Sequence, residues 1–137
     1  MKDIRFTNPF TKEAMKSRLL KEYKAHNGKL VIGIDFDNTI YDTHNVGADF
    51  SSVIELVKEC MSRNMTICLY TSCEMPIDIE RKTRMFEAMF GKKPDYVNFS
   101  PLSPNASKPF FNILLDDRAG LQECFEVLYE VLKETEN

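Results

Sequence analysis

Apolar positions along the chain switch between helical and strand spacing. Over residues 12–26 they recur on one face, at Met15, Leu19, Leu20 and Tyr23, and Asn27-Gly28 supplies a stop. Leu30-Val31-Ile32-Gly33-Ile34 follows, an unbroken run with β-branched residues that suits a strand buried on both faces. Helical spacing returns over 50–63, with Phe50, Val53, Ile54, Val57, Cys60 and Met61 turned inward. Met65-Thr66-Ile67-Cys68-Leu69-Tyr70 reads as a second strand ending at Thr71-Ser72. Pro76 opens a third helix and Gly91 closes it, after Met85, Phe86, Met89 and Phe90. Tyr96-Val97 is a short third strand, and the stretch 100–109, with three prolines and three serines, is a loop. A fourth strand, Asn112-Ile113-Leu114-Leu115, ends at Asp116-Asp117, and a last helix over 119–133 buries Leu121, Cys124, Phe125, Leu128 and Leu132.

Strands separated by helices predict a parallel sheet with covering helices, and neither an internal repeat nor a low-complexity tract interrupts the order. With right-handed crossovers, the carboxyl ends of parallel strands share one edge, which is where open α/β folds bind ligands. Asp35, Asp37, Thr71 and the Asp116-Asp117 pair are therefore expected to converge from distant parts of the chain.

Composition narrows the class. A chain of 137 residues with 43% hydrophobic and 28% charged residues can build one sizeable core, so a single domain over 1–137 is expected. Within it, 1–28 is an N-terminal basic helical extension and 29–137 the core that carries the chemistry. No apolar run approaches a membrane span and the first sixteen residues hold no secretory h-region, so a cytoplasmic protein without membrane contact is expected. Cys60, Cys68, Cys73 and Cys124 form no CxxC pair and no zinc-like spacing with histidine, which fits reduced thiols. Cys73 stands nearest the expected site, as a reactive group or a plain loop thiol. Residues 1–30 carry eight basic and three acidic side chains, leaving ten basic and eighteen acidic for the rest. Such a segment is either a solvated helix face or an attraction for phosphate-rich polymers, and the first reading is preferred.

Carboxylates gathered in one pocket repel, and a hard divalent cation relieves the strain. With phosphate charge neutralised, an aspartate can attack phosphorus and form an aspartyl-phosphate that water hydrolyses. A second acid must protonate the leaving oxygen and later activate the water, while hydroxyl and ammonium groups hold the phosphoryl oxygens. Each part has a candidate: Asp35 as nucleophile, Asp37 as acid and base, Thr71 or Ser72 and Lys108 on the phosphoryl group, and Asp116 with Asp117 on the metal.

Asp35-Phe36-Asp37-Asn38-Thr39 after an apolar strand resembles the D-x-D-x-T signature of the haloacid dehalogenase-like (HAD) hydrolases. Thr71, Lys108 and Asp116-Asp117 resemble the second, third and fourth signatures, so the resemblance runs from about Leu30 to Leu132. It implies a three-layer α/β/α Rossmann-like fold with a mainly parallel sheet, a Mg2+ cofactor held by Asp35, Asp116, Asp117 and the Asp37 carbonyl, and phosphatase or phosphotransferase rather than dehalogenase chemistry. Lys92 or Lys93 competes with Lys108 for the phosphate.

Members of that superfamily select substrates with inserted caps, and here about a dozen residues separate Asp37 from the second helix. An open site implies a large substrate or a second copy of the chain serving as a lid. Asp116-Asp117-Arg118 resembles the corresponding sequence of polynucleotide 3′-phosphatases and deoxyribonucleotidases, so a phosphorylated small molecule or a nucleic-acid end is the expected partner. The rivals are a phosphotransferase of the same family and a binding module that kept the fold without the reaction. Read as isolated features, both aspartate pairs could merely cap turns. His26 and His44 read as surface residues, and Arg81, Lys82, Arg84, Lys92 and Lys93 as the solvated face of a helix bordering the substrate path.

Overall fold

In the computed structural model, which describes residues 1–5, 7 and 10–136, every expected helix and strand is present. The order is α1 (Lys12–Ala25), β1 (Val31–Asp35), α2 (Ser51–Ser62), β2 (Thr66–Tyr70), α3 (Pro76–Phe90), β3 (Tyr96–Val97), β4 (Ile113–Leu115) and α4 (Leu121–Glu134). Local chemistry sets several ends. The Thr11 hydroxyl caps α1 by accepting from the Ala14 N–H at 3.1 Å. Pro76 occupies the first turn of α3, and Gly91 closes that helix with a left-handed φ of 76°.

The strands form one parallel sheet in the order β3-β2-β1-β4. The chain runs outward from β1 through β2 to β3, then returns to place β4 on the other side of β1. That reversal makes the carboxyl ends of β1 and β4 a topological switch point, where a crevice opens in this kind of fold. The architecture is a small α/β Rossmann-like fold, with no cap among the described residues.

Strand pleating divides the sheet into unlike faces. One face presents Ile32 and Ile34, with Ile67, Leu69, Ile113 and Leu115 in register beside them, all buried in the main core with Val57, Phe86 and Leu128. The other presents Gly33, Cys68 and Leu114 in register, with Tyr96 beside Cys68 and Tyr70 beside Asp35. Here the Phe111 ring lies directly on Gly33, where a Cβ would come within 2.5 Å of the ring.

The N-terminal helix packs against the last one. Leu19 joins the core, while Lys12 reaches Glu126 at 3.0 Å and Glu130 at 3.3 Å, and Lys16 pairs with Glu134. Part of the basic character of residues 1–30 is thus neutralised within the fold. Among the described residues no helix is long and apolar enough to cross a membrane.

Candidate active site

The chain leaves β1 at Asp35 and turns at once, with Asn38 in the left-handed region at φ 57° and its N–H donating to the Tyr41 carbonyl at 2.8 Å. This turn drops Thr39 into the interior, fully buried. Its hydroxyl donates to Asp35 Oδ2 at 3.2 Å, lies 3.4 Å from Asp117 Oδ1 and accepts from the Asp117 N–H at 3.1 Å. One hydroxyl therefore ties the end of β1 to the residues after β4.

Asp35, Asp116 and Asp117 bring a carboxylate oxygen each to within 4.8 Å of one another. None of the three has an ion-pair partner among the described residues. Burial raises the Asp35 pKa, and a hydrogen bond to Asp117 with the charges of Asp116 and Asp117 raises it further, against the Thr39 hydroxyl, to about 7. An all-oxygen set of three crowded carboxylates, lacking an internal cation, fits a hard divalent ion such as Mg2+.

Asp37, two residues on, stands in the opposite situation. Lys82 Nζ donates to its Oδ2 at 2.5 Å and the Thr43 hydroxyl to its Oδ1 at 2.7 Å. Burial pushes its carboxyl upward, but the bonds to Lys82 and Thr43 outweigh this and hold it below the usual range. Lys82 comes from α3 and is 7% exposed. Its ammonium also lies 3.4 Å from Thr71 Oγ1 and 5.5 Å from the centre of the Phe36 ring. Thr71 is held in turn by its N–H, which donates to Asn98 Oδ1 at 2.8 Å.

These groups border a cleft of about 520 Å³, lined by Asp35, Asp37, Asn38, Thr43, Ser72, Asp116 and Asp117, with Tyr70, His44 and Arg118. The segment after the turn is folded on itself: the Asp42 carboxylate accepts the N–H groups of Val46, Gly47 and Ala48 at 2.8 to 3.2 Å. A separate cavity of about 330 Å³ between α2 and α4 contains none of these carboxylates.

The structure thus brings Asp35, Asp37, Thr71, Ser72, Asp116 and Asp117 together at the carboxyl edge. Lys108 is not in that gathering. Its loop is closed by Ser100, whose hydroxyl donates to the Phe110 carbonyl, and by the Phe110 N–H donating to Ser103 Oγ at 2.7 Å. Lys108 itself is exposed and makes no ion pair among the described residues. Lys92 pairs with Asp95 at 3.7 Å, and Lys93 is exposed. The lysine at the site is Lys82, expected from sequence to be a solvated residue and found buried. Its position in the apolar stripe Ile79, Lys82, Phe86, Phe90 is the signal that distinguishes it from Arg81 and Arg84. Thr43 and Asn98 carried no such signal. His44 is exposed as expected but lines the cleft, and Cys73 Sγ lies 3.6 Å from Thr71 Oγ1.

No protein-family model matches the chain, and no curated protein matches it. Among solved structures, a conserved protein of Bacteroides thetaiotaomicron is similar at 21% identity and a TM-score of 0.59, over 79% of this chain and 93% of that one. At that identity the likeness establishes a shared fold.

Proposed function

We propose that the protein is a magnesium-dependent phosphomonoesterase of the haloacid dehalogenase-like type, with Asp35 as its covalent nucleophile. The observation that carries this reading is the division of the cleft into an uncompensated carboxylate cluster and, beside it, a cation buried against a hydroxyl. A metal-binding site alone would not require Lys82, and a structural ion pair alone would not require three crowded carboxylates.

Asp35, Asp116 and Asp117 would hold Mg2+, which supplies charge neutralisation that lets a phosphate dianion approach a carboxylate. Lys82 and Thr71 would hold phosphoryl oxygens as charge develops on them, and Ser72, next to Thr71 in the chain, lines the cleft. An Asp35 oxygen forms a bond to phosphorus while the bond to the leaving oxygen breaks, and that oxygen takes its electron pair and a proton from Asp37. Water then attacks phosphorus, Asp37 takes its proton, and the bond between phosphorus and Asp35 breaks to release phosphate. In the free protein Lys82 and Thr43 keep Asp37 ionised. A phosphate that draws Lys82 toward itself removes that support and favours the protonated acid needed for the first step.

The test is release of phosphate from a generic aryl phosphate, with magnesium and with chelator, by the wild-type protein and by Asp35→Asn. Magnesium-dependent turnover that disappears in the variant is expected. Turnover at the wild-type rate in Asp35→Asn would sink the covalent mechanism.

A further inference from the structure

The sheet face opposite the main core carries a row of aromatic rings that begins inside the cleft. Tyr70 lines the cleft and meets Phe111 edge-on, with ring centres 5.9 Å apart. Phe111 is fixed in place by lying on Gly33. On the neighbouring strand Tyr96 stands beside Cys68, two positions before Tyr70 and on the same face, and it contacts Phe99 at 5.2 Å between ring centres. Strand geometry sets Tyr70 and Tyr96 roughly 8 Å apart on the diagonal. Tyr70, Tyr96 and Phe99 are 36%, 38% and 38% exposed.

We propose that this face is a platform on which the bases of a single-stranded oligonucleotide stack while its terminal phosphate enters the cleft; the proposal rests on the phosphomonoesterase reading above. Two features select this occupant. The exposed row is aromatic, and every base offers a π-face to such a ring whatever its sequence. Cations flank these elements along the chain: Lys93 precedes β3 and Lys108 precedes Phe110 and Phe111, while Arg118 lines the cleft. All three are exposed and take part in no ion pair among the described residues, whereas Lys12 and Lys16 are engaged by α4. They match a phosphodiester backbone. The row also continues past Tyr70 to Tyr96 and Phe99, so it offers further rings beyond the one that lines the cleft.

Binding is measured by fluorescence anisotropy on the full chain carrying Asp35→Asn, in magnesium. The probes are a terminally phosphorylated thymidine hexamer, labelled at its other end, and an abasic strand with the same number of phosphates. The thymidine strand should bind about tenfold or more tightly than the abasic one. Tyr96→Ala and Phe99→Ala should each weaken it about fivefold or more, Tyr96→Phe should retain it, and added salt should weaken both strands. Equal affinity for the two strands would overturn the platform, as would unchanged binding in both alanine variants. Thymidine monophosphate binding as tightly as the hexamer, or a concentration-dependent dimer dissolved by Tyr96→Ala, would overturn it too. Turnover of aryl phosphate by the wild type without strand binding removes the platform and leaves the phosphatase. Strand binding without turnover of any phosphate does the reverse.

Discussion

The two sides of the cleft are built on opposite electrostatic principles, although Asp35 and Asp37 are only two residues apart. On the β1–β4 side, Asp35, Asp116 and Asp117 crowd together, the first and last sharing one hydroxyl, and burial with like charge lifts the Asp35 pKa to about 7. On the β2–α3 side, the Asp37 carboxylate has its own buried cation and hydroxyl, and its pKa is lowered. One side has no cation of its own among the described residues, while the other carries one in α3. In the proposed mechanism, that contrast is what separates a nucleophile from an acid and base made of the same side chain.

Removing the proposed nucleophile should give the largest effect. Asp35→Asn keeps the shape of the carboxylate side and is expected to lower turnover of aryl phosphate by roughly 10³-fold or more. The next probe acts on the other side. Lys82→Ala should cost about 10²-fold in turnover, and Lys82→Arg should recover little of it, because a planar guanidinium does not fit a site shaped around a compact ammonium. Equal kcat for Lys82→Ala and wild type would mean that the buried pair with Asp37 is purely structural.

Stability should report the contrast more quietly. Because the folded Asp35 pKa lies above its unfolded value, its contribution to stability is fully present below about pH 4 and is lost as pH rises through about 7. Discounted for its partial exposure, this amounts to on the order of 1–2 kcal/mol in metal-free protein. Denaturant titrations in chelator from pH 4 to 8 should show that decline. Asp35→Asn should flatten it, and magnesium at neutral pH should offset it. The smallest effect belongs to the support of Thr71. Asn98→Ala removes the acceptor of the Thr71 N–H and should cost about 1 kcal/mol of stability. A few-fold loss of turnover should accompany it, checked by the same melts and assays.

Much of this was legible in the sequence because periodicity and chemistry pointed the same way. Apolar runs ending in aspartate at 35 and 116 mark strands whose carboxyl ends carry the candidate residues, and a parallel sheet brings those ends together. Pro76 and Gly91 bracket α3 by backbone preference alone. Lys82 was hidden by its neighbours. Arg81 and Arg84 make the segment look uniformly solvated, and only the phase of the helix shows one cation on the apolar stripe above Phe86. Lys108 was favoured by its place just before β4. Yet the hydrogen bonds from Ser100 and to Ser103 that close its loop come from side chains whose partners no periodicity encodes. Asn98 and Thr43 act through single hydrogen bonds at turns, which spacing does not encode either.

The Asp42 turn has a kinetic consequence. By gathering the N–H groups of Val46, Gly47 and Ala48 on one carboxylate, it commits the segment after Asp37 to a short closed loop. That segment is one place where a shielding domain could be inserted. A phosphoryl group carried by Asp35 in the proposed mechanism would therefore not be covered by this segment. In the proposed mechanism, water would reach that group from this side without waiting for a domain to open.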